Sequence, residues 1–229
     1  MSIVYRVVEV LSEYNQLFLE GLRSTLILTA VSFTMGLVLG LLIAVGRVYG
    51  PHLVRLLLAG YVEIIRGTPM LLQLFLIYYA LPRVGVLLPP LPAALLGMGL
   101  NSAAYQSEYF RSSIRAVPRG QWEAALSIGM SRWQAIASVI LPIALRTSLP
   151  ALTNELVYLL KYSSIAYFLT VIELVYAGKI IGAETFAYLE VYTIIALAYL
   201  VFSLAITRCM RLLEKKASIP GLITSQTRI

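Results

Sequence analysis

The sequence is poor in the side chains that most catalytic and metal sites require. Its 229 residues contain no aspartate, one cysteine and one histidine. Without aspartate there is no carboxylate for a Walker B motif, an EF-hand calcium loop or a catalytic aspartate pair. Cys209 cannot form an internal disulfide, and Cys209 and His52 are too few to hold a zinc ion. His52 follows Pro51 in a basic turn, where we interpret it as solvent-facing, so we predict no metal site and no catalytic centre.

Charged residues are also scarce. They make up 13% of the chain, hydrophobic residues make up 59%, and the mean hydropathy is +0.84. Soluble globular domains have about 25% charged and about 45–50% apolar residues. The composition therefore excludes an ordinary soluble enzyme and a disordered chain, and it is typical of a membrane protein. The net charge is +7, but no cluster of basic and aromatic residues indicates nucleic-acid binding.

Five apolar stretches of the sequence are long enough to cross a membrane, which takes about 20 residues in an α-helix. Leu26–Val45 carries no charge and is the clearest of them. Pro69 and Pro150 interrupt two others, because proline lacks the backbone N–H that a continuous helix uses. Gly36 and Gly40 in the first stretch indicate close packing against another helix. The remaining stretches are Leu56–Ala80, Leu91–Phe110, Leu145–Leu169 and Tyr188–Arg208.

Residues 1–20 have a different pattern. Apolar residues such as Val4 and Val8 recur there at helical spacing, among charges such as Arg6 and Glu13. This pattern predicts an amphipathic helix on the membrane surface, and it is too charged for the core of a signal peptide. Residues 21–212 would then form the transmembrane domain, and residues 213–229 a cytoplasmic tail.

The basic residues of the connecting loops predict the orientation. With the N-terminus outside and the C-terminus inside, the inner side holds twelve Lys and Arg residues and the outer side holds four. Cytoplasmic loops of membrane proteins are enriched in these residues, so this orientation is favoured. The net positive charge therefore indicates loops that face the cytoplasm beside anionic lipid.

Ionisable residues inside the predicted spans need an explanation. Glu63 and Arg66 share one face of the second span, and Glu155 and Lys161 lie in the fourth. Each charge costs roughly 2.5–3.5 kcal/mol at the centre of a membrane helix, so none of them should face lipid. One interpretation is that Glu63 pairs with Arg66 and Glu155 with Lys161, which would join helices. The other is that these groups, with Asn101 in the third span, line a path for a polar or zwitterionic solute.

The longest cytoplasmic connection, residues 111–146, is predicted to form two short helices. The first is Gln121–Ile128, and Gly129 follows it as the residue that ends it. Ser131 is placed to cap the second helix, which Pro142 should end. Small side chains on the first helix would let another protein approach closely. We therefore predict a docking surface here, without a nucleophile or a base.

Four blocks of sequence resemble a known family. The run EAALSIGMSRWQAIASVILP, Glu123–Pro142, is similar to the EAA loop of importer-type ABC transporter permeases. Tyr61–Pro82, Asn101–Ala125 and Leu152–Ile165 resemble the polar amino acid uptake branch of that family. The likeness extends from about residue 21 to the basic tail near residue 216, which is nearly the whole chain.

The resemblance implies an all-α, multi-pass protein of the cell (inner) membrane with the type I ABC importer permease fold and about five transmembrane helices. Such a permease pairs with an identical or similar second permease, receives its solute from an extracytoplasmic binding protein, and moves it by alternating access driven by a cytoplasmic ATPase dimer. The sequence lacks a GxxxxGK[ST] motif, so ATP and Mg would be bound by the ATPase, and no cofactor is expected in this chain. The residues implied to couple to the ATPase are Glu123, Ala124, Ala125, Gly129, Leu141 and Pro142.

A group of polar residues within the spans is predicted to contact the solute. By the resemblance, Glu63 and Asn101 match pore-site positions of the family. We predict that Glu63 binds the ammonium group of the solute and that Asn and Ser donors bind its carboxylate. Tyr162 stands where the family has an acid, a change that bears on how the amino group is held. The residues predicted from their polarity alone are Arg66, Gln73, Lys161, Ser163 and Ser164.

Two other classes of function stay open at this point. A non-transporting scaffold or channel subunit would keep the helical frame but would bind no ATPase. A membrane-embedded enzyme would need a chemically competent cluster inside the spans, for which this chain has poor candidates. We favour a permease for a polar amino acid, whose outer segment, residues 170–187, would dock or gate the binding protein.

Overall fold

The computed structural model describes residues 7 and 10–217, and every regular element within residues 10–217 is a helix. Hydrogen bonds within each helix satisfy its backbone N–H and C=O groups, as a membrane requires, and long runs of Leu, Ile, Val and Ala supply the apolar side chains. The predicted all-α class is confirmed. The helices are α1 (Asn15–Tyr49), α2 (His52–Gly67), α3 (Met70–Phe75), α4 (Pro90–Ala116), α5 (Arg119–Ser127), α6 (Arg132–Ala135), α7 (Leu141–Tyr162), α8 (Leu174–Thr185) and α9 (Tyr188–Ala217).

Several of these helices can cross a membrane by length and composition. Three described stretches qualify alone, Asn15–Tyr49, Arg132–Leu169 and Tyr188–Ala217, and the bent pair from His52 to Val84 would add a fourth. Helix α4 contains the third predicted span but is not among them, because polar residues such as Asn101 reduce its apolar character. The described helices agree with a multi-pass membrane protein, and the number of five spans stays a prediction.

Pro69 breaks the second predicted span. Helix α2 ends at Gly67, α3 begins at Met70, and the two helical segments meet at an angle of 107°. Thr68 has extended backbone (φ −120°, ψ 146°), the conformation that a following proline favours. The Thr68 hydroxyl donates a hydrogen bond to the carbonyl of Ile64 (2.8 Å) and so satisfies one acceptor that the break leaves open. The expected break at Pro69 is confirmed, whereas the helix Leu141–Tyr162 continues through Pro150.

A π-helical segment, Ile136–Ile140, lies directly before Pro142. The N–H of Leu141 donates to the carbonyl five residues back. This wider turn makes room for the proline ring, which in an ordinary helix would clash with the carbonyl four residues before it. A second π-helical segment lies in the same position before Pro82. The prediction that Pro142 ends the second loop helix is therefore wrong, because the helical stretch continues from Arg132 to Leu169.

Helices α1 and α4 pack closely and run in the same direction. A Cβ at Gly36 would lie 2.7 Å from Ser102 Oγ, and a Cβ at Gly40 would lie 3.0 Å from the carbonyl oxygen of Ala103. Only glycine permits this approach, so the close packing predicted for the two glycines is confirmed. Because α1 and α4 are parallel, the chain between them must return across the molecule, and the broken second span does so.

An apolar core joins four helices around α4. Leu28, Leu74, Met98 and Leu159, which come from α1, α3, α4 and α7, are fully or almost fully buried in one cluster. A second cluster around Val191 holds α8 against α9. Helix α4 is therefore central, and its polar residues face other helices instead of lipid.

The predicted boundary at residue 20 is not the end of a helix. Helix α1 begins at Asn15, so residues 15–20 continue into the first span, and the chain bends at Tyr14 after the helical residues 10–13. The proposed interfacial helix of residues 1–20 lies partly outside the described residues and stays a prediction. The same holds for residues 218–229 of the predicted tail.

Candidate functional site

A polar face runs along the middle of α4. Asn101, Tyr105 and Tyr109 follow one another at four-residue spacing, and Ser102 and Gln106 lie beside them. This spacing places all five side chains on one side of the helix. The eight residue steps from Asn101 to Tyr109 span about 12 Å along the axis. The polar face is thus a continuous strip in an otherwise apolar bundle.

Gln73 connects this strip to the break in the second span. Asn101 Nδ2 donates to Gln73 Oε1 (2.9 Å). Gln73 Nε2 in turn lies within hydrogen-bond distance of the carbonyl oxygens of Ile65 (2.7 Å) and Thr68 (3.1 Å), and of Thr68 Oγ1 (2.9 Å). The amide therefore satisfies carbonyls at the open end of α2 while it binds α4. Gln73 and Asn101, both predicted as solute contacts, are brought together.

Glu155 on α7 faces the same strip. Its side chain is buried, with 6% exposure, and its carboxylate accepts hydrogen bonds from Ser102 Oγ (2.7 Å) and Tyr109 Oη (3.3 Å). Among the described residues no Lys, Arg or His lies within ion-pair distance of it. Lys161, its predicted partner, instead lies over the ring of Tyr158 (4.8 Å). Glu155 is thus a buried carboxylate that hydroxyl groups hold and no described cation neutralises.

Gln106 extends the network to α1. Its Nε2 donates to Ser102 Oγ (2.9 Å) and to the carbonyl of Phe33 (3.1 Å). Its Oε1 is buried and has no protein partner among the described residues. The hydrogen-bonded group therefore joins α1, α4 and α7.

Arg66 lies beside the part of α4 that carries Tyr105 and Glu108. Its guanidinium lies over the ring of Tyr105 (5.3 Å from the centroid), and its Nη1 is 3.8 Å from Glu108 Oε2. The side chain is 44% exposed. Glu63 is exposed, and no ion pair joins it to Arg66 in the described chain, so neither of the two ion pairs considered from the sequence forms. Arg66 is instead directed at two residues of α4, Tyr105 and Glu108.

Glu108 gathers three arginines. Arg47, at the end of α1, donates to Glu108 Oε1. Arg111 donates to both carboxylate oxygens, from Nε at 3.2 Å and from Nη2 at 2.5 Å. Arg66 completes the group at the longer distance given above. This cluster ties α1, α2 and α4 together at the end of the strip where the loop charges predict the cytoplasm.

The other predicted solute contacts lie elsewhere. Ser163 is buried and donates to the carbonyl of Leu160 (2.7 Å), and Ser164 donates to the carbonyl of Lys161 (2.7 Å). The side chains of Lys161, Ser163 and Ser164 make no hydrogen bond to the polar strip in the described structure. Sequence reasoning did not name Glu155 on α7 as a ligand, and it left out the strip residues of α4, which are Ser102, Tyr105, Gln106 and Tyr109. Their four-residue spacing in an apolar helix was the signal that could have found them.

A second buried acid lies in the outer segment. Glu173 has 0% exposure and caps α8, where its oxygens accept from the backbone N–H groups of Val175 (2.9 Å) and Tyr176 (2.8 Å). Tyr199 Oη donates to it from α9 (3.2 Å). Burial is the largest influence on its ionisation and raises the pKa of Glu173 to about 7, against the opposing effect of these hydrogen bonds. This acid therefore links the outer segment to α9.

The predicted docking loop forms an elbow of two helices. Gly129 has φ +85°, which favours glycine, and Ser131 forms the expected capping box with Gln134. Glu123 and Ala124 are exposed, while Ala125 is only 3% exposed and packs inside the elbow.

Exposed apolar residues enlarge this surface. Ile128 is 75% exposed, and Leu126 and Trp133 are exposed as well. Leu141 and Pro142 are half-buried at the start of α7. The elbow therefore presents an apolar surface together with one exposed acid, Glu123, which the small side chains alone did not predict.

Known proteins are similar to this chain both in sequence and in fold. Residues 36–219 match the family described as "Binding-protein-dependent transport system inner membrane component". The probable amino-acid ABC transporter permease protein YckA of Bacillus subtilis (strain 168) is 41% identical over 86% of this chain and 88% of its own length. The glutamine transport system permease protein GlnP of Escherichia coli (strain K12) is 36% identical over 89% and 94%.

Solved structures agree with these relatives. The crystal structure of an amino acid ABC transporter with histidines has a chain that is 39% identical, with a TM-score of 0.83 over 90% of this chain and 96% of that one. The MetNI methionine ABC transporter, at 22% identity and a TM-score of 0.73 over 89% and 97%, shares the fold. The chain therefore belongs to the inner-membrane components of binding-protein-dependent transport systems, and its relatives there are amino-acid ABC transporter permeases.

Proposed function

We propose that this chain moves a polar amino acid into the cell by alternating access, driven by a separate ATPase. The observation that carries the proposal is the polar strip of α4, which is enclosed by helices of a membrane bundle. Relatives with amino-acid and glutamine permease names support the class of solute. An exposed polar strip would serve a scaffold equally well, but buried polar and ionisable groups in membrane helices commonly mark a solute path.

Two side chains of opposite charge, Arg66 on α2 and Glu155 on α7, lie beside the strip, as a zwitterionic solute requires. Arg66 approaches Tyr105, and Glu155 binds Tyr109, one helical turn farther along α4. A planar guanidinium suits a carboxylate, because it can donate two parallel hydrogen bonds. A buried carboxylate is costly without a cation, so the ammonium of the solute would supply what Glu155 lacks. Asn101, one helical turn before Tyr105 on α4, would supply a further polar contact.

This assignment differs from the sequence-based one in the residue that binds the ammonium group. Glu63 was predicted for that role, but in the described structure it is exposed on α2 and makes no hydrogen bond to the strip. An exposed acid in a span should not face lipid. We therefore propose that Glu63 faces a second permease subunit or the water-filled path between the two. Glu63→Gln should then reduce solute-stimulated ATP hydrolysis while the subunits still assemble.

The elbow of α5 and α6 would dock the ATPase. Glu123 and Ile128 give it an acidic and an apolar contact on one exposed surface. The glycine turn and the capping box fix the angle between the two helices, so the surface is preformed. A separate ATPase would bind the nucleotide, and a binding protein would deliver the solute on the outer side.

Reconstitution into proteoliposomes with the ATPase and the binding protein tests the proposal. L-Glutamine, or another member of an amino acid panel, should increase ATP hydrolysis and enter the vesicles. Glu155→Gln should lower stimulated uptake at least about tenfold, because one partner of a buried ion pair is removed. Glu20→Gln changes an exposed acid at the start of α1 and serves as the control.

Two results would contradict the proposal. Full stimulated uptake by the Glu155→Gln variant would remove Glu155 from the solute site. Failure of the wild-type chain to bind any ATPase would favour a non-transporting scaffold instead.

A further inference from the structure

The three arginines lie at unequal distances from the Glu108 carboxylate, and Arg66 is the most distant of them. Arg111 occupies both carboxylate oxygens, and Arg47 adds a hydrogen bond to Oε1. Arg66 has only the charge of Glu108 at 3.8 Å, beyond hydrogen-bond distance. Two arginines are therefore hydrogen-bonded to Glu108, and the third is attracted to this carboxylate by charge without a hydrogen bond.

Arg66 keeps its donors available in this position. Within the described chain its guanidinium donates no hydrogen bond, and the ring of Tyr105 supports it from one side. The cluster contains three guanidinium groups and one carboxylate, so its formal charge is 3 − 1 = +2. An excess of positive charge of this kind favours the arrival of an anionic group.

We propose that Glu108 is a positioning residue that holds Arg66 ready to bind the carboxylate of the solute. This rests on the proposed function, in which Arg66 binds that carboxylate. Without the charge of Glu108, three arginines would repel one another, and Arg66, the least restrained, would turn away from the strip. With a full hydrogen bond to Glu108, Arg66 would have fewer donors left for the solute. The weak pairing keeps the guanidinium in place and free to bind.

Binding to the purified permease–ATPase complex in nanodiscs, without the binding protein, tests the inference. The probes are L-glutamine and its α-carboxamide, which differ in the carboxylate that Arg66 would recognise. The wild-type complex should prefer L-glutamine. Glu108→Gln should reduce that preference about tenfold through weaker binding of L-glutamine, the size of one weakened charge-assisted hydrogen bond, and leave binding of the carboxamide unchanged.

Variants at neighbouring positions separate positioning from a merely structural role. Arg47→Gln removes another member of the cluster and should keep the preference, even if the complex melts at a lower temperature. Tyr105→Leu removes the ring under Arg66 without touching Glu108, and it should reduce the preference as well. It therefore serves as the second variant if Glu108→Gln does not assemble.

Each unexpected outcome has a distinct meaning. A wild-type preference in Glu108→Gln, or an equal loss in Arg47→Gln, would overturn the positioning role. Arg66→Gln distinguishes the two levels of the argument. If Arg66→Gln keeps the preference, the proposed solute contact itself fails; if only Arg66→Gln loses it, the solute contact stands and the role of Glu108 fails.

Discussion

Replacement of Gln73 by leucine tests whether one amide holds the corner of the broken span. Leucine has a similar volume but can neither accept from Asn101 nor donate to the carbonyls of Ile65 and Thr68. The substitution would leave the Asn101 amide and the open end of α2 without partners. We expect the corner between α2 and α3 to loosen.

The size of the effect follows from the hydrogen bonds that are lost. The Gln73 amide has two hydrogens, so two of its three short donor contacts can be well formed at once, and Asn101 adds a third bond. At about 1 kcal/mol each, these bonds account for about 3 kcal/mol, before any cost of the unpaired groups. For a chain of this length that is a fall of about 6–12 °C in the melting temperature.

The assay combines stability with coupling. Thermal unfolding of the detergent-purified complex should show the lower melting temperature, and solute-stimulated ATP hydrolysis should fall because the strip loses its link to the second span. Thr68→Val is the matched control, because it removes only the hydroxyl contact to Gln73 and the bond to Ile64. It should cost about 1 kcal/mol. A Gln73→Leu complex that melts and couples like the wild type would refute this reasoning.

Further predictions concern the elbow, the α1–α4 contact and the outer segment. Glu123→Lys should abolish co-purification with the ATPase without affecting membrane insertion, because it replaces the one exposed acid of the elbow by a base. Gly36→Ala should destabilise the complex by about 1–3 kcal/mol, since its methyl group would overlap the buried Gln106 amide. Burial raises the pKa of Glu173 to about 7. The free energy of unfolding should therefore fall by up to about 3 kcal/mol as the pH rises from the pKa of glutamate in the unfolded chain toward 7. Glu173→Gln should flatten that dependence in thermal melts.

Each of these has an outcome that contradicts it. Retained ATPase association in Glu123→Lys would remove the elbow as the docking surface. Gly60→Ala, where an added Cβ meets nothing within 4 Å, is the control for Gly36→Ala, and equal melting temperatures of the two would contradict the packing argument. A Glu173→Gln protein with the wild-type pH profile would show that another group titrates. The sign is fixed, because the folded state binds the Glu173 proton more tightly than the unfolded state, so ionisation favours unfolding.

Much of the fold could be predicted because its signals are local. Pro69 fixes the break through its own missing N–H, and Gly129 and Ser131 mark the elbow by the backbone conformations they favour. The continuation through Pro142 could not be predicted in this way. It depends on the π-helical turn before the proline, and that turn is stabilised by packing that the sequence pattern does not show.

The polar site was harder to predict, because its partners come from helices far apart in the sequence. Glu155 and Lys161 share a span, but a helix rotation decides which of them faces Ser102, and only the packed bundle sets that rotation. Arg66 lies three residues from Glu63 on the same helix and yet pairs with Glu108, which α4 brings beside it. Nearness along a helix was therefore a poor guide to charge pairing.

The unbroken path from the elbow to the buried carboxylate has a mechanical consequence. Arg132 and Glu155 lie on one continuous helical stretch that reaches Leu169, and about 35 Å of it separates the two. No loop interrupts this stretch between Arg132 and Glu155 to absorb a displacement at the elbow. A displacement at Arg132 would be carried along this stretch toward Glu155, and so toward its hydrogen bonds with Ser102 and Tyr109.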